Sequence, residues 1–195
     1  MEEQLEQINS EVIACTRCGL CKERHQVVFG SGNPRASIFI VGEAPGFEED
    51  KTGVAFVGKS GQLLEKILLA CNFSREKEVY LGNIVKCRPP HNRVPSPQEQ
   101  AACLPYLERQ IEVIKPKIII LMGSTALKAF FGASSRITRE RGNWKNWFGY
   151  PVMPTYHPSA LLRNPNLKRD AWDDFKKVIV KYRELVDNEH YCKYI

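Results

Sequence analysis

The chain has 195 residues, of which 43% are hydrophobic and 26% are charged. This composition predicts one globular domain with a sizeable core, and it excludes a disordered or fibrous protein. Lys and Arg number 28 against 22 Asp and Glu, and the resulting net charge of +6 is compatible with a polyanionic partner.

The sequence shows neither a membrane span nor a secretory leader. The longest uninterrupted apolar run, Ile118–Met122, is too short to cross a bilayer, and no apolar stretch precedes a cleavage-site pattern. Seven cysteines are an odd number, in a chain too long to need a disulfide scaffold. We therefore expect reduced thiols in a cytoplasmic, nucleoid-associated protein of prokaryotic type.

Short apolar runs predict four buried parallel strands, at residues 36–41, 78–84, 117–122 and 150–155. Apolar residues at helical spacing predict helices between them, over 60–71 and 96–114. A last helix buries an apolar stripe that comprises Trp172, Phe175, Ile179, Tyr182 and Val186. Strands and helices alternate, which predicts an α/β fold: a single-domain three-layer α/β/α sandwich with a short, mostly parallel four-stranded sheet.

Residues 1–195 are expected to form this one domain, with two peripheral segments. Residues 1–35 are predicted to be an arm that starts as a helix and passes through cysteines, and residues 187–195 are predicted to be a mobile tail. The arm contains a C-x2-C pair, and a C-x15-C pair lies in the middle of the chain.

These two pairs are Cys15 with Cys18 and Cys87 with Cys103. Thiolates occur in sets of four where a metal ion or a cluster is bound. Because the pairs are far apart in sequence, a shared site would join the arm to the body of the fold. Cys21, which follows Cys18 closely, is an alternative to Cys18 as a ligand.

Each predicted strand ends in a distinctive loop. The first runs into GEAPGFEED, the second into NIVKCRPPHNR and the fourth into HPSALLRNP, while GVAFVGKSG precedes the first of the predicted helices. Ligands of open parallel sheets bind at the carboxyl ends of the strands, so these loops are expected to converge on one site. A glycine-rich turn alone is a weak signal.

Basic residues are concentrated in or beside these loops. The three clusters comprise Lys86, Arg88 and Arg93; Arg136, Arg139, Arg141 and Lys145; and Arg163, Lys168 and Arg169. Binding of a phosphate backbone would explain this distribution, because each neutralised phosphate releases condensed counterions. A solvated basic surface explains the composition equally well.

The motifs GEAPG, AFVGKSGQLL, NIVKCRPPHNR and HPSALLRNP, together with the cysteine spacing, resemble the iron–sulfur-containing family 4 uracil-DNA glycosylases. The resemblance extends from Cys15 to Arg163 and so covers nearly the whole domain. It implies one [4Fe-4S] cluster on Cys15, Cys18, Cys87 and Cys103. Zinc remains the alternative, since it accepts the same four thiolates.

The resemblance also implies an activity. Such an enzyme flips uracil out of single- or double-stranded DNA and hydrolyses its N-glycosidic bond, which releases free uracil and leaves an abasic site. A monofunctional glycosylase of this kind, acting in base excision repair, is expected to work as a monomer. The sequence does not test a partner such as a sliding clamp.

Two side chains are expected to recognise the base. Phe56 lies in a glycine-flanked loop and could stack on it, whereas core packing is the alternative role for this ring. The carboxamide of Asn83 can match the O4 acceptor and N3–H donor of uracil, an order that cytosine reverses. The resemblance points to Glu49 as the group that excludes the methyl group of thymine. The expected substrate-binding residues are Gly42, Ala44, Gly46, Glu49, Phe56 and Asn83.

Bond cleavage requires stabilisation of the departing uracil anion and a water molecule. Neutral His157 and backbone amides of the GEAPG turn are expected to stabilise the anion, while the alternative for His157 is a structural role before a helix. Glu43, assisted by Asn92, is expected to orient or deprotonate the water. In the wider superfamily many members carry an aspartate for this role where this chain has Ala44, and the family 4 pattern lacks that aspartate as well.

The remaining candidates face the DNA. Leu161 or Leu162 is expected to fill the space that the flipped nucleotide leaves, as apolar wedges do. Phosphate contacts are expected from Arg88, Arg93, Arg163 and Lys168.

Two other function classes compete with hydrolysis. Related cluster-bearing proteins trap the sugar covalently through a histidine in the loop after the second strand, where His91 lies, and such a protein would bind uracil-DNA without turnover. The KCRPPHNR context resembles the hydrolytic branch. A redox carrier is suggested only by the cluster, and ferredoxin-like carriers concentrate their cysteines locally.

Overall fold

The computed structural model describes residues 1–195. The first half contains α1 (Glu2–Ile13), β1 (Ser31–Gly32), β2 (Ile38–Gly42), α2 (Phe47–Thr52), α3 (Lys59–Ala70) and β3 (Val79–Asn83). The second half contains α4 (Pro97–Ile114), β4 (Ile118–Met122), α5 (Gly123–Phe131), α6 (Ile137–Glu140), β5 (Lys145–Trp147), β6 (Tyr150–Thr155), α7 (Pro158–Arg163) and α8 (Lys168–Leu185). Short 3-10 turns span Gly19–Lys22, Pro90–Asn92 and Pro165–Leu167.

The strands form one six-stranded sheet in the order β1-β3-β2-β4-β6-β5. The four predicted strands are its parallel centre, and β1 and β5 add antiparallel edges. The expected count of four strands was therefore too low, although the fold class is confirmed. Strand β5 pairs with β6 through a tight turn in which Phe148 and Gly149 both have positive φ, at 47° and 91°.

The central strands are buried on both faces, as parallel strands between two helical layers must be. Along β2, Phe39 and Val41 belong to one apolar cluster with α1, α4 and α5, whereas Ile38 and Ile40 belong to another with α3 and α8. This alternation follows the two-residue period of a strand. Helices therefore cover each face, in three layers, and no helix has the length and apolarity that a membrane crossing needs.

Helix α4 begins where the sequence predicts. The Ser96 hydroxyl accepts a hydrogen bond from the Glu99 amide at 3.2 Å, and the Glu99 carboxylate accepts one from the Ser96 amide at 2.7 Å. This capping box satisfies two amides that the first helical turn leaves free. It sets the position of Cys103 on the buried side of α4.

The C-terminal segment packs against the body of the protein in the structure. His190 stacks on Phe73 with ring centroids 4.7 Å apart, and its Nε2 lies 2.9 Å from the carbonyl oxygen of Cys71. Cys192 is 2% exposed. The tail predicted to be mobile at 187–195 is thus anchored by two side chains whose partners lie more than 100 residues earlier in the chain.

Candidate functional site

A cavity of about 820 Å³ lies at the carboxyl edge of the sheet, a volume typical of ligand sites. The parallel strands end there side by side, at Gly42, Asn83, Met122 and Thr155. The predicted site residues that line this cavity are Glu43, Ala44, Gly46, Glu49, Phe56, Asn83, Asn92, Arg93, His157 and Arg163. The loops singled out in the sequence therefore converge.

Phe56 and Asn83 meet over Gly42 at the base of the cavity. A Cβ atom on Gly42 would lie 2.5 Å from Asn83 Oδ1 and 2.6 Å from Phe56 Cζ, so a larger residue has no room. Asn83 is only 2% exposed, and it borders the cavity. Its side chain is not among the fully buried polar groups that lack a hydrogen-bond partner. Gly42 does not line the cavity itself, and it acts by admitting these two side chains.

His157 is the N-cap residue of α7. Its Nδ1 accepts a hydrogen bond from the Ser159 amide at 3.2 Å and lies 2.9 Å from the Ser159 hydroxyl. Because Nδ1 accepts, the proton of a neutral ring is on Nε2. Burial lowers the pKa of His157 from 6.5 to about 4, and Arg163 acts in the same direction. The ring is therefore a neutral donor, 6.1 Å from the Phe56 ring between centroids.

Glu43 is hydrogen-bonded to a residue that the sequence analysis missed. The Thr125 hydroxyl donates to Glu43 Oε2, and both residues line the cavity. Thr125 is in the first turn of α5, directly after β4. The signal that could have found it is the same carboxyl-end rule, since GST follows the third predicted strand.

Glu49 is engaged by backbone amides on both of its oxygens. Oε1 accepts from Val57 and Gly58, each at 2.9 Å, and Oε2 accepts from Gly46 at 3.1 Å. The side chain therefore ties the GEAPG turn to the loop that carries Phe56. Its predicted role against thymine stays a prediction.

The predicted DNA-facing residues differ in exposure and in partners. Leu161 is 1% exposed, whereas Leu162 is 46% exposed, so of the two leucines only Leu162 can reach a DNA duplex. Arg93 is exposed but paired with Glu99 at 2.7 Å, and Arg88 donates to Asn92 Oδ1 at 2.7 Å. Arg88 does not line the cavity, but its guanidinium lies over the ring of Phe47, which does. Arg163 and Lys168 are exposed.

A second, narrow cavity brings the two cysteine pairs together. It is lined by the side chains of Cys15, Cys18, Cys21, Cys87 and Cys103, with Arg24, Lys86 and Tyr106 beside them. The described residues include no group of three or more His, Cys, Asp or Glu side chains arranged to hold one metal ion. Five cysteines therefore border one cavity, and both predicted pairs are among them.

Hydrogen-bond donors of Arg24 and Lys86 lie beside these thiols. Arg24 donates to Cys87 Sγ at 3.1 Å and to the Cys15 carbonyl at 3.2 Å, and the Lys86 amide is 3.3 Å from Cys103 Sγ. Burial raises the pKa of the Cys103 thiol to about 11. Protons must therefore leave the site when a metal group binds, since its ligands are thiolates.

Known proteins with similar sequences point to the same kind of site. The family model of the uracil DNA glycosylase superfamily matches residues 29–176. A type-4 uracil-DNA glycosylase of Thermotoga maritima is 48% identical over 90% of this chain and 93% of that protein. One from Sulfurisphaera tokodaii is 45% identical over 90% and 84%, and one from Saccharolobus solfataricus is 41% identical over 90% and 85%. The chain therefore belongs to the type-4 uracil-DNA glycosylases of the uracil DNA glycosylase superfamily.

Proposed function

We propose that this protein is a DNA repair glycosylase that binds uracil-containing DNA, takes the flipped uracil into the sheet-edge cavity and hydrolyses its N-glycosidic bond. The observation that carries the proposal is the meeting of Phe56, Asn83 and His157 in one cavity at the carboxyl edge of the sheet. One domain, residues 1–195, supplies every group, and the arm at 1–35 contributes cysteines instead of substrate contacts.

Recognition of uracil rests on one ring and one amide. Stacking on Phe56 supplies about 1–3 kcal/mol, which offsets part of the few kcal/mol that extrusion of a nucleotide costs. The Asn83 carboxamide, buried at the base of the cavity, pairs with O4 and N3–H of uracil. Cytosine would leave those buried polar groups unpaired, so it is rejected. Glu49, with Gly46 and Ala44, borders the space beside the base.

Departure of uracil places negative charge on its O2 atom. His157 donates from Nε2 as a neutral imidazole, because Ser159 occupies Nδ1. The backbone amides of Glu43 and Ala44 in the GEAPG turn are the further proposed donors, since Glu49 already accepts from the Gly46 amide. Preorganised donors of this kind each contribute about 2.7–4 kcal/mol to the transition state.

Glu43 activates the attacking water in this mechanism, and its negative charge also offsets the positive charge that develops on the sugar. The hydrogen bond from Thr125 fixes the orientation of the carboxylate. Asn92 borders the same cavity and assists in holding the water.

Replacing Glu43 with glutamine should therefore lower the single-turnover rate of uracil excision about 100-fold, since general-base catalysis contributes at least this much. The measurement is alkali-revealed scission of a uracil-containing oligonucleotide under enzyme excess. Thr125→Val serves as the matched comparison and should show a smaller loss, because it removes only the orienting hydrogen bond. An undiminished rate for Glu43→Gln would remove this residue from the mechanism.

Leu162 is the residue proposed to occupy the space that the flipped nucleotide leaves. We expect Leu162→Ala to lower the single-turnover rate on duplex DNA about tenfold, with little loss on single strands, where no base stack must be held open. The matched control is Leu161→Ala, which should instead lower the melting temperature because Leu161 is 1% exposed. Equal losses by Leu162→Ala on both substrates would contradict the wedge.

Phosphate contacts are assigned to Arg88, Arg93, Arg163 and Lys168, of which Arg93 and Arg163 line the cavity. Arg163 is the strongest candidate, because it lines the cavity and no ion pair occupies it. Arg93 would have to exchange Glu99 for a phosphate, which reduces its net contribution.

A [4Fe-4S] cluster on Cys15, Cys18, Cys87 and Cys103 fits the second cavity. The cysteines of both pairs line it, and the family resemblance, not the geometry, favours the cluster over zinc. When bound, the cluster supplies a structural link between the arm, the loop after β3 and helix α4. Cys21 borders the same cavity and is the alternative to Cys18.

One experiment tests the function directly. The full-length protein is incubated with oligonucleotides that carry U, T, C or hypoxanthine, single- and double-stranded, and the products are separated on a denaturing gel before and after alkali. Alkali-labile scission of uracil substrates alone supports hydrolysis with the proposed selectivity. A persistent protein–DNA band would instead support covalent trapping, although His91 is exposed and does not line the cavity.

A further inference from the structure

Phe56 has a backbone conformation that its surroundings must maintain. Its φ is +56°, in the left-handed region that bulky residues rarely adopt, yet its side chain is 6% exposed. Gly61 packs directly against the Phe56 backbone: a Cβ atom on Gly61 would lie 2.0 Å from the Phe56 carbonyl oxygen, so no larger residue fits there. A backbone of this kind persists only where neighbouring groups hold it in place.

Arg75 holds the carbonyl side of this loop. Its Nη1 donates to the Ala55 carbonyl at 3.0 Å and its Nη2 to the Phe56 carbonyl at 2.8 Å. Its Nε donates to Glu65 Oε2 at 2.6 Å, which anchors the guanidinium on α3. The planar guanidinium fork fixes two successive carbonyls in one orientation, which a lysine cannot do.

The amide side of the same loop is held separately. Glu49 accepts from the amides of Val57 and Gly58, directly after Phe56. The loop therefore has its carbonyls bound by a cation and its amides bound by an anion, with Phe56 between them. Arg75 does not border the substrate cavity, so it can affect the reaction only through this loop.

We propose that Arg75 is a positioning residue for uracil excision: it holds Phe56 in the orientation that receives the flipped base. The inference rests on the stacking role given to Phe56 in the proposed function. The Arg75–Glu65 ion pair is then part of the site, although Arg75 lies outside the cavity lining.

The first test compares Arg75→Gln and Arg75→Lys with the unmodified protein, by single-turnover excision of uracil from single-stranded DNA. Arg75→Gln should lower the rate about 10- to 100-fold, since two charge-assisted hydrogen bonds to the loop are lost. Arg75→Lys should recover part of this loss, because one ammonium can still reach one carbonyl. Inhibition by free uracil should weaken in parallel. Arg109→Gln, which breaks an ion pair with Glu11 far from the cavity, is the control and should leave the rate unchanged.

A double-mutant cycle with Phe56→Ala identifies the route of the effect. If Arg75 acts through the Phe56 ring, adding Arg75→Gln to Phe56→Ala should cost less than about threefold, although each change alone is costly. Independent, multiplying losses would overturn the inference, as would a full rate for Arg75→Gln when Phe56→Ala is impaired. A full rate for Phe56→Ala alone would instead overturn the stacking role in the proposed function.

Discussion

Replacing His157 with glutamine should lower the single-turnover rate of uracil excision about 100- to 1000-fold, with the fold intact. The expected size is that of one preorganised donor lost from the transition state. Nδ1 is occupied by the Ser159 amide, so Nε2–H is the group that the ring can offer to the departing uracil. The measurement is the single-turnover rate of excision, with enzyme in excess over a uracil-containing single strand. Circular dichroism tests whether the variant is folded.

The matched control for this change is His91→Gln. His91 is exposed in the loop after β3 and does not line the cavity, so its loss should leave the rate within about twofold. The comparison also separates hydrolysis from trapping, because a trapping protein would depend on the histidine of that loop. A rate for His157→Gln near that of the unmodified protein would remove the donor from the mechanism.

The pH dependence of the rate follows from the same environment. Burial lowers the pKa of His157 to about 4, so the neutral ring persists well below its ordinary pKa of 6.5. Between pH 6.5 and pH 4, His157 binds a proton in the unfolded chain but not in the folded protein. The free energy of unfolding therefore falls as pH decreases from 6.5 towards 4. The rate per folded molecule, however, should stay level until pH approaches 4.

The part of the site that could be predicted from the sequence consists of residues directly after buried strands. Asn83 ends an apolar run and His157 follows another, and the carboxyl ends of parallel strands must share one edge. That rule places residues together without any knowledge of side-chain contacts. It applied equally to Thr125, whose partner Glu43 is 82 residues earlier, but a hydroxyl in a GST segment carries no pattern of its own.

Features that depend on how elements dock could not be predicted. Leu161 and Leu162 are neighbours on a six-residue helix, and only the seating of α7 decides that one is buried and the other exposed. The edge strands β1 and β5 have two and three residues, too short for a two-residue period to be seen. Arg75 is the same case, since its loop partners are fixed by tertiary structure.

The arm shows where the sequence prediction was incomplete. Helix α1 buries Leu5, Ile8 and Val12 against the core, and Glu11 pairs with Arg109 on α4. The first helix therefore has contacts of its own, and so do His25, Gln26 and Val28, which bond to Asp50, Lys51 and Lys86. Residues 14–24 are the part of the arm that we expect to depend mainly on the cysteines. Loss of the proposed cluster should release that segment and the loop after β3, while α1 stays docked.

Cys87→Ala should accordingly abolish iron binding and lower the melting temperature by more than about 10 °C. Loss of a metal site is among the few single changes that cost more than about 4 kcal/mol, and each kcal/mol corresponds to about 2–4 °C in a protein of this size. Iron and zinc are measured by elemental analysis, and colour by absorbance. Hydrogen exchange should accelerate over residues 14–24 and 86–96, because Arg24 loses the Cys87 sulfur to which it donates. Exchange should change least in α1.

Cys21→Ala is the control, because Cys21 shares the cavity without being one of the four proposed ligands. It should retain iron and melt within about 3 °C of the unmodified protein, as a change outside the ligand set does. Iron lost from Cys21→Ala but kept by Cys18→Ala would exchange the two assignments. Zinc in place of iron in the purified protein would contradict the iron–sulfur cluster and assign the four thiols to a zinc ion. Full exchange protection over 14–24 after Cys87→Ala would contradict the bound group as the link between arm and body, because the arm would then be held by its other contacts.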